Sequence, residues 1–375
     1  MKFFLVAFIF LLSLGQLQRL QLNTNLAFYL HDLLVFGFLS WQLFAAIVQR
    51  KKIIEKWKKI PKNSKKIFYL LVLSCFSAWL LAFSQNRFDW RALLYVGRLL
   101  AYLAFVFLLQ KKLAWANWPW RLISFNLLVL GFLQYFFLPD LRFLVHAGFD
   151  DHFYRMSSTI LDPSFLGLIF VFNLNFYLWQ KQKNWLMISL FALGLLLTYA
   201  RAAYLALLFS TLFYLFTDQD ANKKALLVFL AVFIASWPFL PRHSGGDGVD
   251  LLRRQSVQLR LSGDAQILQS MRGADWLIGR GLYIPSRNLE LERGRTPIHA
   301  HFADNLVVFL LTNLGLLGSG LLLILLWQTL ALANREQWVL LSSLLVHAMF
   351  NHNLSQSFVW LIFLGFWWSR KTIKS

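Results

Sequence analysis

Three long stretches of the chain contain no charged side chain, and a protein folded in water has little use for such stretches. They are Leu122–Leu138, Phe165–Trp179 and Leu306–Trp327. A helix that crosses a membrane needs about 20 apolar residues, within a range of roughly 17–25. Only 14% of the residues are charged, whereas an average soluble domain has about 25%. These features exclude a soluble enzyme and a disordered chain, and they predict an all-α, polytopic integral membrane protein.

The distribution of apolar segments predicts about twelve transmembrane helices. The predicted spans are 3–20, 26–48, 67–84, 91–110, 122–138, 164–180, 185–199, 202–217, 225–240, 303–330, 337–350 and 356–369. No internal repeat is visible in the sequence, so the whole chain, residues 1–375, is predicted to be a single membrane domain.

The lysines sort according to this topology. With the N-terminus inside, all 17 lysines fall on the cytoplasmic side, whereas 16 arginines fall outside or within spans. Loops that stay in the cytoplasm collect Lys and Arg. One missed helix would invert every later loop, so the sorting favours twelve spans with both termini cytoplasmic. Topology therefore explains most of the net charge of +20, and no nucleic-acid partner is expected.

The N-terminus and the cysteine content bear on processing and redox chemistry. The segment Phe3–Leu14 follows Lys2 and resembles a signal peptide, but no small-residue cleavage site comes after it. We interpret it as a retained first helix. Cys75 is the single cysteine of the chain and lies within an apolar run. An intramolecular disulfide and a CxxC metal or redox motif are thus excluded.

Residues 241–302 are predicted to form one long extracytoplasmic loop. This segment holds nine arginines and six acidic residues. Within it, Leu251–Met271 has apolar residues at helical intervals with arginines between them, which indicates an amphipathic helix at the membrane surface. A solvated charged loop is the alternative. A shorter outer loop, residues 139–163, links the fifth and sixth predicted spans.

Two arginines at the predicted outer membrane edge are candidates for binding an anion. Arg201 lies in a turn between two spans, with alanines on both sides. A guanidinium keeps its charge and is costly in lipid, so it faces protein, water or an anion; its forked donors suit phosphate oxygens. Arg155 precedes a helix start marked by Asp162 as N-cap and Pro163 in the first turn. Pairing with lipid headgroups remains open for Arg201.

A third polar cluster stands at the start of the tenth predicted span and contains His299, His301, Asp304 and Asn305. Imidazole and carboxylate groups can both accept a proton from a hydroxyl. A metal site formed by the two histidines and Asp304 is an alternative, although no fourth protein ligand is evident. Another alternative is a solvated loop with no catalytic role. No cofactor is expected.

Arg98 lies well inside the fourth predicted span, on one helical stripe with Arg91. A charge inside the membrane is a candidate for function, while an ion pair with Asp32 or Asp89 is equally open. A last set of polar residues, near the outer end of the eleventh predicted span, is interpreted as polar packing: His347, Asn351 and His352.

Four stretches, in this order, resemble the O-antigen ligase and polymerase superfamily of bacterial membrane glycosyltransferases, which act on polyprenyl-diphosphate-linked glycans. Arg155–Gly167 has an Arg-x-x-x-Thr-x-x-Asp-Pro pattern, and Thr198–Leu205 has Thr-x-Ala-Arg-Ala-Ala. Leu259–Leu282 ends in a Gly-x-Gly element, and His299–Gly318 ends in Gly-Leu-x-Gly. The resemblance covers roughly residues 120–330, and the order and spacing of the motifs carry it.

The resemblance implies a metal-independent, inverting glycosyltransferase in the bacterial cytoplasmic membrane, with its active site on the extracytoplasmic face. The implied partners are a polyprenyl-diphosphate-linked glycan donor, a lipid or glycan acceptor, and the membrane itself. The diphosphate would be bound by arginines, and the proton of the acceptor hydroxyl would go to a residue of the third polar cluster. The candidates for the first role are Arg201, Arg155, Arg260 and Arg98. The candidates for the second are His301, Asp304 and His299.

One departure and three alternatives remain open. The family often has His-Asn about eleven residues before its Gly-Leu-x-Gly element, and Asp304-Asn305 hold that place here. A repeat-unit polymerase of the same superfamily would differ from a ligase only in its acceptor. A polysaccharide transporter or flippase would instead predict symmetric halves and a charged path through the bilayer midplane. A non-catalytic membrane scaffold is the third alternative.

Overall fold

The computed structural model of the chain is almost entirely helical. The residues it describes are 2–23, 26–48, 62–113, 116–147, 149–180, 182–217, 223–241, 249–251, 254–285, 302–331, 333–353 and 356–369. His299 and His301, two of the residues singled out by the sequence, lie outside these ranges.

Fourteen α-helices lie in the described ranges. They are α1 Lys2–Ser13, α2 Leu30–Val48, α3 Lys62–Ser84, α4 Arg91–Lys112, α5 Trp118–Phe137, α6 Pro163–Trp179, α7 Trp185–Leu197, α8 Arg201–Thr217, α9 Lys223–Ala235, α10 Gln255–Ser270, α11 Ala274–Ile278, α12 Leu306–Leu330, α13 Arg335–Ala348 and α14 Ser357–Ser369. Two strands, β1 Arg19–Asn23 and β2 Leu26–Tyr29, pair as an antiparallel hairpin.

Among the described residues, four helices are long and apolar enough to cross a membrane. These segments are Lys66–Ser84, Arg91–Lys112, Trp118–Phe137 and Leu306–Gln328. At 1.5 Å per residue, helices of this size reach about 30 Å, which matches the hydrocarbon core of a bilayer. The expectation of a helical protein with membrane-spanning segments is thus confirmed at this level. Further apolar helices, among them Pro163–Trp179 and Arg201–Thr217, are shorter.

The chain divides into two compact units. Unit one comprises Met1–Asp32, Val106–Val257 and Asn334–Ser375, and unit two comprises Leu33–Phe105 and Gln258–Ala333. Arg155 and Arg201 belong to unit one, whereas Arg98, Arg260 and Asp304 belong to unit two.

Helix α6 forms the core of unit one. Every residue of α6 except Ser164 is buried, as expected for a helix that is hydrophobic on all sides. Helices α7, α8, α13 and α14 pack against it. Its start follows the predicted capping chemistry, because the Oδ1 atom of Asp162 accepts hydrogen bonds from the backbone N–H groups of Ser164 at 2.7 Å and Phe165 at 3.2 Å. The prediction of Asp162 as N-cap and Pro163 in the first turn is confirmed.

The N-terminal segment differs from its predicted form. A helix was expected over 3–20, but α1 ends at Ser13 and the chain then turns into the β1–β2 hairpin. Gly15 has a φ of +52°, and a Cβ there would overlap the backbone of Thr159, so the chain leaves the helix where only glycine fits. After it, Leu20 and Leu22 alternate with polar residues, which is the period of a strand.

Unit two contains a broken helix where the sequence predicted a continuous span over 303–330. Helix α12 is interrupted at Gly315, which has φ 65° and ψ −175°. A Cβ at Gly315 would overlap the backbone of Leu277 and Gly279, and a Cβ at Gly279 would lie 2.5 Å from the carbonyl of Asn313. We call this close approach of Gly279 and Gly315 the glycine contact. Neither position can accept a larger residue without backbone movement.

The glycine contact also satisfies the backbone groups that the helix break exposes. The carbonyl oxygen of Thr312 accepts from the N–H of Arg280 at 2.7 Å, and that of Asn313 accepts from the N–H of Gly281 at 3.0 Å. The Asn313 side chain accepts from the N–H of Tyr283 at 2.7 Å. Buried peptide groups need such partners, so residues 279–283 hold the kink in α12 open.

Candidate functional site

Arg155 and the turn before Arg201 meet in unit one. The turn, residues 197–201, connects α7 to α8, and we call it the Thr198 turn. The N–H of Met156 donates to the carbonyl oxygen of Leu197 at 2.8 Å, and the Arg155 Nε donates to the carbonyl oxygen of Thr198 at 3.1 Å. Two of the motif stretches identified in the sequence are thus brought side by side.

Arg201 is the first residue of α8 and is half-buried. Its Nη1 donates to the carbonyl oxygen of Leu251 at 3.2 Å, and the neighbouring Tyr199 hydroxyl donates to the carbonyl oxygen of Pro241 at 2.6 Å. Both acceptors belong to the predicted long loop. The N-terminus of a helix carries partial positive charge, so Arg201 adds a full charge where an anion is already favoured.

The backbone around this turn is locally strained. Tyr154 has a φ of 50° and Tyr199 has a φ of 52°, in the left-handed region that bulky residues seldom adopt. Such conformations cost free energy and persist where the surrounding contacts impose them. Here the contacts are those of Arg155 and Met156 with the Thr198 turn, so the two arginines are attached to a backbone fixed from both sides.

His152 lies next to Arg155 and is buried, with 6% of its surface exposed. Burial lowers the pKa of His152 to about 4, and the positive charge of Arg155 adds to this effect. The imidazole is therefore neutral at physiological pH. No sequence pattern indicated His152, since one histidine in a polar loop has no distinctive pattern.

Asp304 is held by a second carboxylate in unit two. Asp264 is buried, and its oxygens accept from the backbone N–H of Asp304 at 2.9 Å and of Asn305 at 3.2 Å. Asn305 then caps α12, its side chain accepting from the N–H of Val307 at 2.8 Å. Arg260 is half-buried on α10, one helical turn before Asp264. The predicted helix over Leu251–Met271 is present as Gln255–Ser270.

A polar cavity of about 300 Å³ lies beside α11 in unit two and is lined by Gln85, Arg87, Ser270, Arg272 and Asp275. Asp275 accepts from Arg87 Nη2 at 3.2 Å and from Arg280 Nε at 3.1 Å. Burial by itself would raise the pKa of Asp275, but the hydrogen bonds from Arg87 and Arg280 lower it below its usual value. The sequence did not indicate this cluster, because Arg87 and Asp275 lie far apart in the chain.

The remaining predicted residues are placed as follows. Arg98 is half-buried on α4. Within the described ranges, no group of three or more His, Cys, Asp or Glu side chains could hold a metal ion. His347, which the sequence assigned to polar packing, is fully buried and hydrogen-bonded to Ser164 and Asn353.

No family model and no curated protein sequence matches this chain. The fold itself defines a helical protein, with four helices in the described part of the chain that are long and apolar enough to cross a membrane.

Proposed function

We propose that this protein is a membrane glycosyltransferase that moves a glycan from a polyprenyl-diphosphate carrier to an acceptor hydroxyl, in the manner of the O-antigen ligases that its motifs resemble. The observation that carries the proposal is the contact of Arg155 with the carbonyl of Thr198, three residues before Arg201. It brings a guanidinium group to the backbone turn from which the Arg201 helix starts.

The chemistry of the reaction fits this pair. As the bond between the sugar and the diphosphate breaks, negative charge grows on the departing diphosphate. Fixed guanidinium groups stabilise that charge more in the transition state than in the ground state. The Nε bond of Arg155 and the Nη1 bond of Arg201 to backbone carbonyls fix the direction of both groups. Arginines can supply the countercharge without a metal ion.

The proton acceptor is proposed from the sequence: His301, Asp304 or His299 takes the proton of the acceptor hydroxyl, and the displacement inverts the anomeric centre. A well-placed base contributes about 10²–10⁴-fold. Arg260 and Arg98 are proposed as further cationic groups for the diphosphate. For Asp304, the support is that Asp264 fixes its backbone at the start of α12.

We also propose the topology that this reaction needs. The helices described here, the shorter apolar ones included, would complete twelve spans in the bacterial cytoplasmic membrane, with both termini cytoplasmic and residues 241–302 outside. Single cysteines introduced into a Cys75→Ser background test this arrangement with a membrane-impermeant maleimide. Labelling of intact cells at position 142 and not at position 183 supports the model. The reverse pattern would contradict it.

The test of function uses the purified full chain with a polyprenyl-diphosphate-linked oligosaccharide and mass spectrometry of the products. Arg201→Ala is expected to lower transfer by about 10²–10³-fold, the effect of removing one donor to a developing charge. Arg142→Ala is the matched control, since Arg142 is an exposed arginine of the 139–163 loop paired with Asp140; it should transfer normally.

The products separate the alternatives. Transfer to a new acceptor identifies a ligase, and lengthening of the lipid-linked chain identifies a polymerase. Movement of the lipid-linked sugar across a vesicle membrane with no bond broken would identify a flippase and contradict the proposal. Full activity in Arg201→Ala would remove Arg201 from the mechanism.

A further inference from the structure

Three polar side chains of unit one form a continuous chain of hydrogen bonds. The Ser164 Oγ lies 3.0 Å from the His347 Nε2, and the His347 Nδ1 lies 3.0 Å from the Asn353 Oδ1. His347 is fully buried and Asn353 is 2% exposed. Ser164 is the half-buried exception in a helix whose other residues are all buried. The chain of bonds therefore begins at an accessible hydroxyl and continues inward.

The hydrogen bonds of Asn353 set the tautomer of His347. The Asn353 Nδ2 donates to the carbonyl oxygen of Leu344 at 3.2 Å, which turns its Oδ1 toward the histidine. The His347 Nδ1 then carries the hydrogen atom and donates a hydrogen bond to the Asn353 Oδ1. The His347 Nε2 is left to accept from the Ser164 hydroxyl. This order of nucleophile, base and orienting group is the one that activates a serine in acyl transfer.

Two neighbouring groups suit the charges that such a reaction creates. The carbonyl oxygen of Ser164 lies 3.1 Å from the His347 Nε2, so it accepts a hydrogen bond from the imidazolium once His347 has taken a proton. The Asn351 Nδ2 donates to the Ser164 Oγ at 2.8 Å. An amide donor at that point is within reach of an oxyanion formed on a carbonyl bonded to the Ser164 Oγ.

The backbone presents the serine to this network. The N–H groups of Ser164 and Phe165 are bound by the capping Asp162, which fixes the first turn of α6. A serine at such a position often bonds to the backbone of its own helix. Here the hydroxyl instead contacts His347 and Asn351, more than 180 residues later in the chain. The contact is therefore made by the tertiary structure and not by local geometry.

An apolar surface adjoins the histidine. Met349 is 44% exposed and Phe350 is 41% exposed, and both lie between His347 and Asn351 in the sequence. Large exposed hydrophobic side chains beside a polar group fit an amphiphile with an ester linkage, such as an acylated lipid, better than a polar metabolite.

We propose that Ser164, His347 and Asn353 form an acyl-transfer site in which Ser164 is the nucleophile and the substrate is the carboxylic ester of an amphiphile. This proposal does not depend on glycan transfer. The Ser164 Oγ attacks the ester carbonyl carbon while its proton passes to the His347 Nε2. The carbon–oxygen bond to the leaving alcohol breaks, and His347 returns the proton to that oxygen. Water or an acceptor alcohol then gives a proton to His347 and attacks the acyl carbon. As the bond between that carbon and the Ser164 Oγ breaks, His347 returns the proton to the Ser164 Oγ.

The test is covalent labelling of the purified full chain in detergent with an alkyl fluorophosphonate, followed by mass spectrometry of the peptides. We expect one label, on Ser164, absent in Ser164→Ala. His347→Gln should slow labelling by at least about 100-fold and Asn353→Ala by about 10-fold, since each variant removes one part of the activation. Ser342→Ala is the matched control, because that hydroxyl bonds to the carbonyl of Val339 at 2.8 Å; it should label at the normal rate.

The wild-type protein decides the question even if a variant fails to fold. An activated ester should leave an acyl group on Ser164 of the wild-type protein. A wild-type protein that elutes as a single folded species and takes no label on Ser164 overturns the proposal. Labelling of His347→Gln at the wild-type rate overturns it as well, because the serine would then react without its base.

Discussion

The two units provide hydrogen-bond donors to buried carbonyl groups in different ways. In each, a helical path is interrupted and a buried carbonyl group needs a donor. In unit one, the carbonyl of Leu197 obtains a backbone donor from Met156, but the carbonyl of Thr198 obtains its donor from a charged side chain, the Nε of Arg155. In unit two, the break in α12 obtains its donors from the backbone N–H groups of Arg280 and Gly281, which approach because Gly279 and Gly315 have no side chains.

This difference determines which perturbations each unit resists. A contact made by a guanidinium depends on charge, and its neighbours respond to pH. A contact between two backbones requires that no side chain separates them, and it is little affected by charge. We expect a methyl group added at Gly279 to lower the stability of unit two, and loss of the Arg155 guanidinium to lower the stability of unit one. Four measurements in detergent test this expectation.

The largest effect is expected for Gly279→Ala. The added Cβ would lie 2.5 Å from the carbonyl of Asn313, at a φ of +77° and a ψ of 179°, a region occupied almost only by glycine. We expect a loss of about 3 kcal/mol or more in the free energy of unfolding. Gly320→Ala, on the same helix α12 with open space around its Cα, should be neutral or slightly stabilising. Equal melting temperatures for the two variants would disprove the glycine contact.

The second effect concerns pH and His152. Its pKa is near 4 in the folded protein and about 6.5 when unfolded. Above pH 6.5 both states are neutral, so stability is fully present. As the pH falls from 6.5 to 4 the unfolded state takes up the proton first, and about 3 kcal/mol of stability is lost. His152→Leu should flatten this part of the curve. A curve unchanged by His152→Leu would contradict the assignment.

The third effect tests the guanidinium of Arg155. Arg155→Met removes the bond to the Thr198 carbonyl, and we expect a loss of about 2 kcal/mol at neutral pH, typical of a hydrogen bond to a charged group. The variant should also make the protein less sensitive to acid, since the Arg155 charge helps to lower the pKa of His152. Chemical unfolding at pH 7 and pH 5 measures both. Loss of stability at pH 7 with unaltered acid sensitivity would separate the two residues.

The smallest effect is expected at the start of α6. Asp162→Ala removes the acceptor for the N–H groups of Ser164 and Phe165, which should cost about 1 kcal/mol. Asp162→Asn keeps an acceptor oxygen and should lose much less. Thermal unfolding of the two variants gives the comparison. If both lose the same amount, the charge and not the cap stabilises the helix.

Features encoded by neighbouring residues were accessible from the sequence. The apolar runs predicted α5, α6 and α12, and Asp162-Pro163 predicted where α6 begins, because a cap and its helix are adjacent in the chain. The strands Arg19–Asn23 and Leu26–Tyr29 were missed, since Leu20 was assigned to the end of the first predicted span and residues 26–29 to the start of the second. The alternation of Leu20 and Leu22 with polar residues was the signal that could have identified a strand.

Features made by distant residues were not accessible. The break at Gly315 depends on the close approach of Gly279, which is distant in the sequence. The residues around position 315 do not by themselves predict a kink. The pairing of Ser164 with His347 joins positions in different helices, so His347 was interpreted as ordinary packing. Arg155 and Arg201 were singled out because charged side chains at the predicted outer membrane edge must face protein, water or an anion, but the contact between Arg155 and the Thr198 carbonyl depends on the tertiary structure.

The shape of α12 also depends on a distant segment of the chain. Residues 306–330 are apolar enough to enter a bilayer as one straight rod, with every internal amide paired within the rod. The bent form leaves two carbonyls in need of outside donors, and those donors come from residues 280 and 281. The bent form therefore depends on the docking of residues 280 and 281, and we expect residues 306–330 to be straighter in any form of the protein in which those residues are undocked.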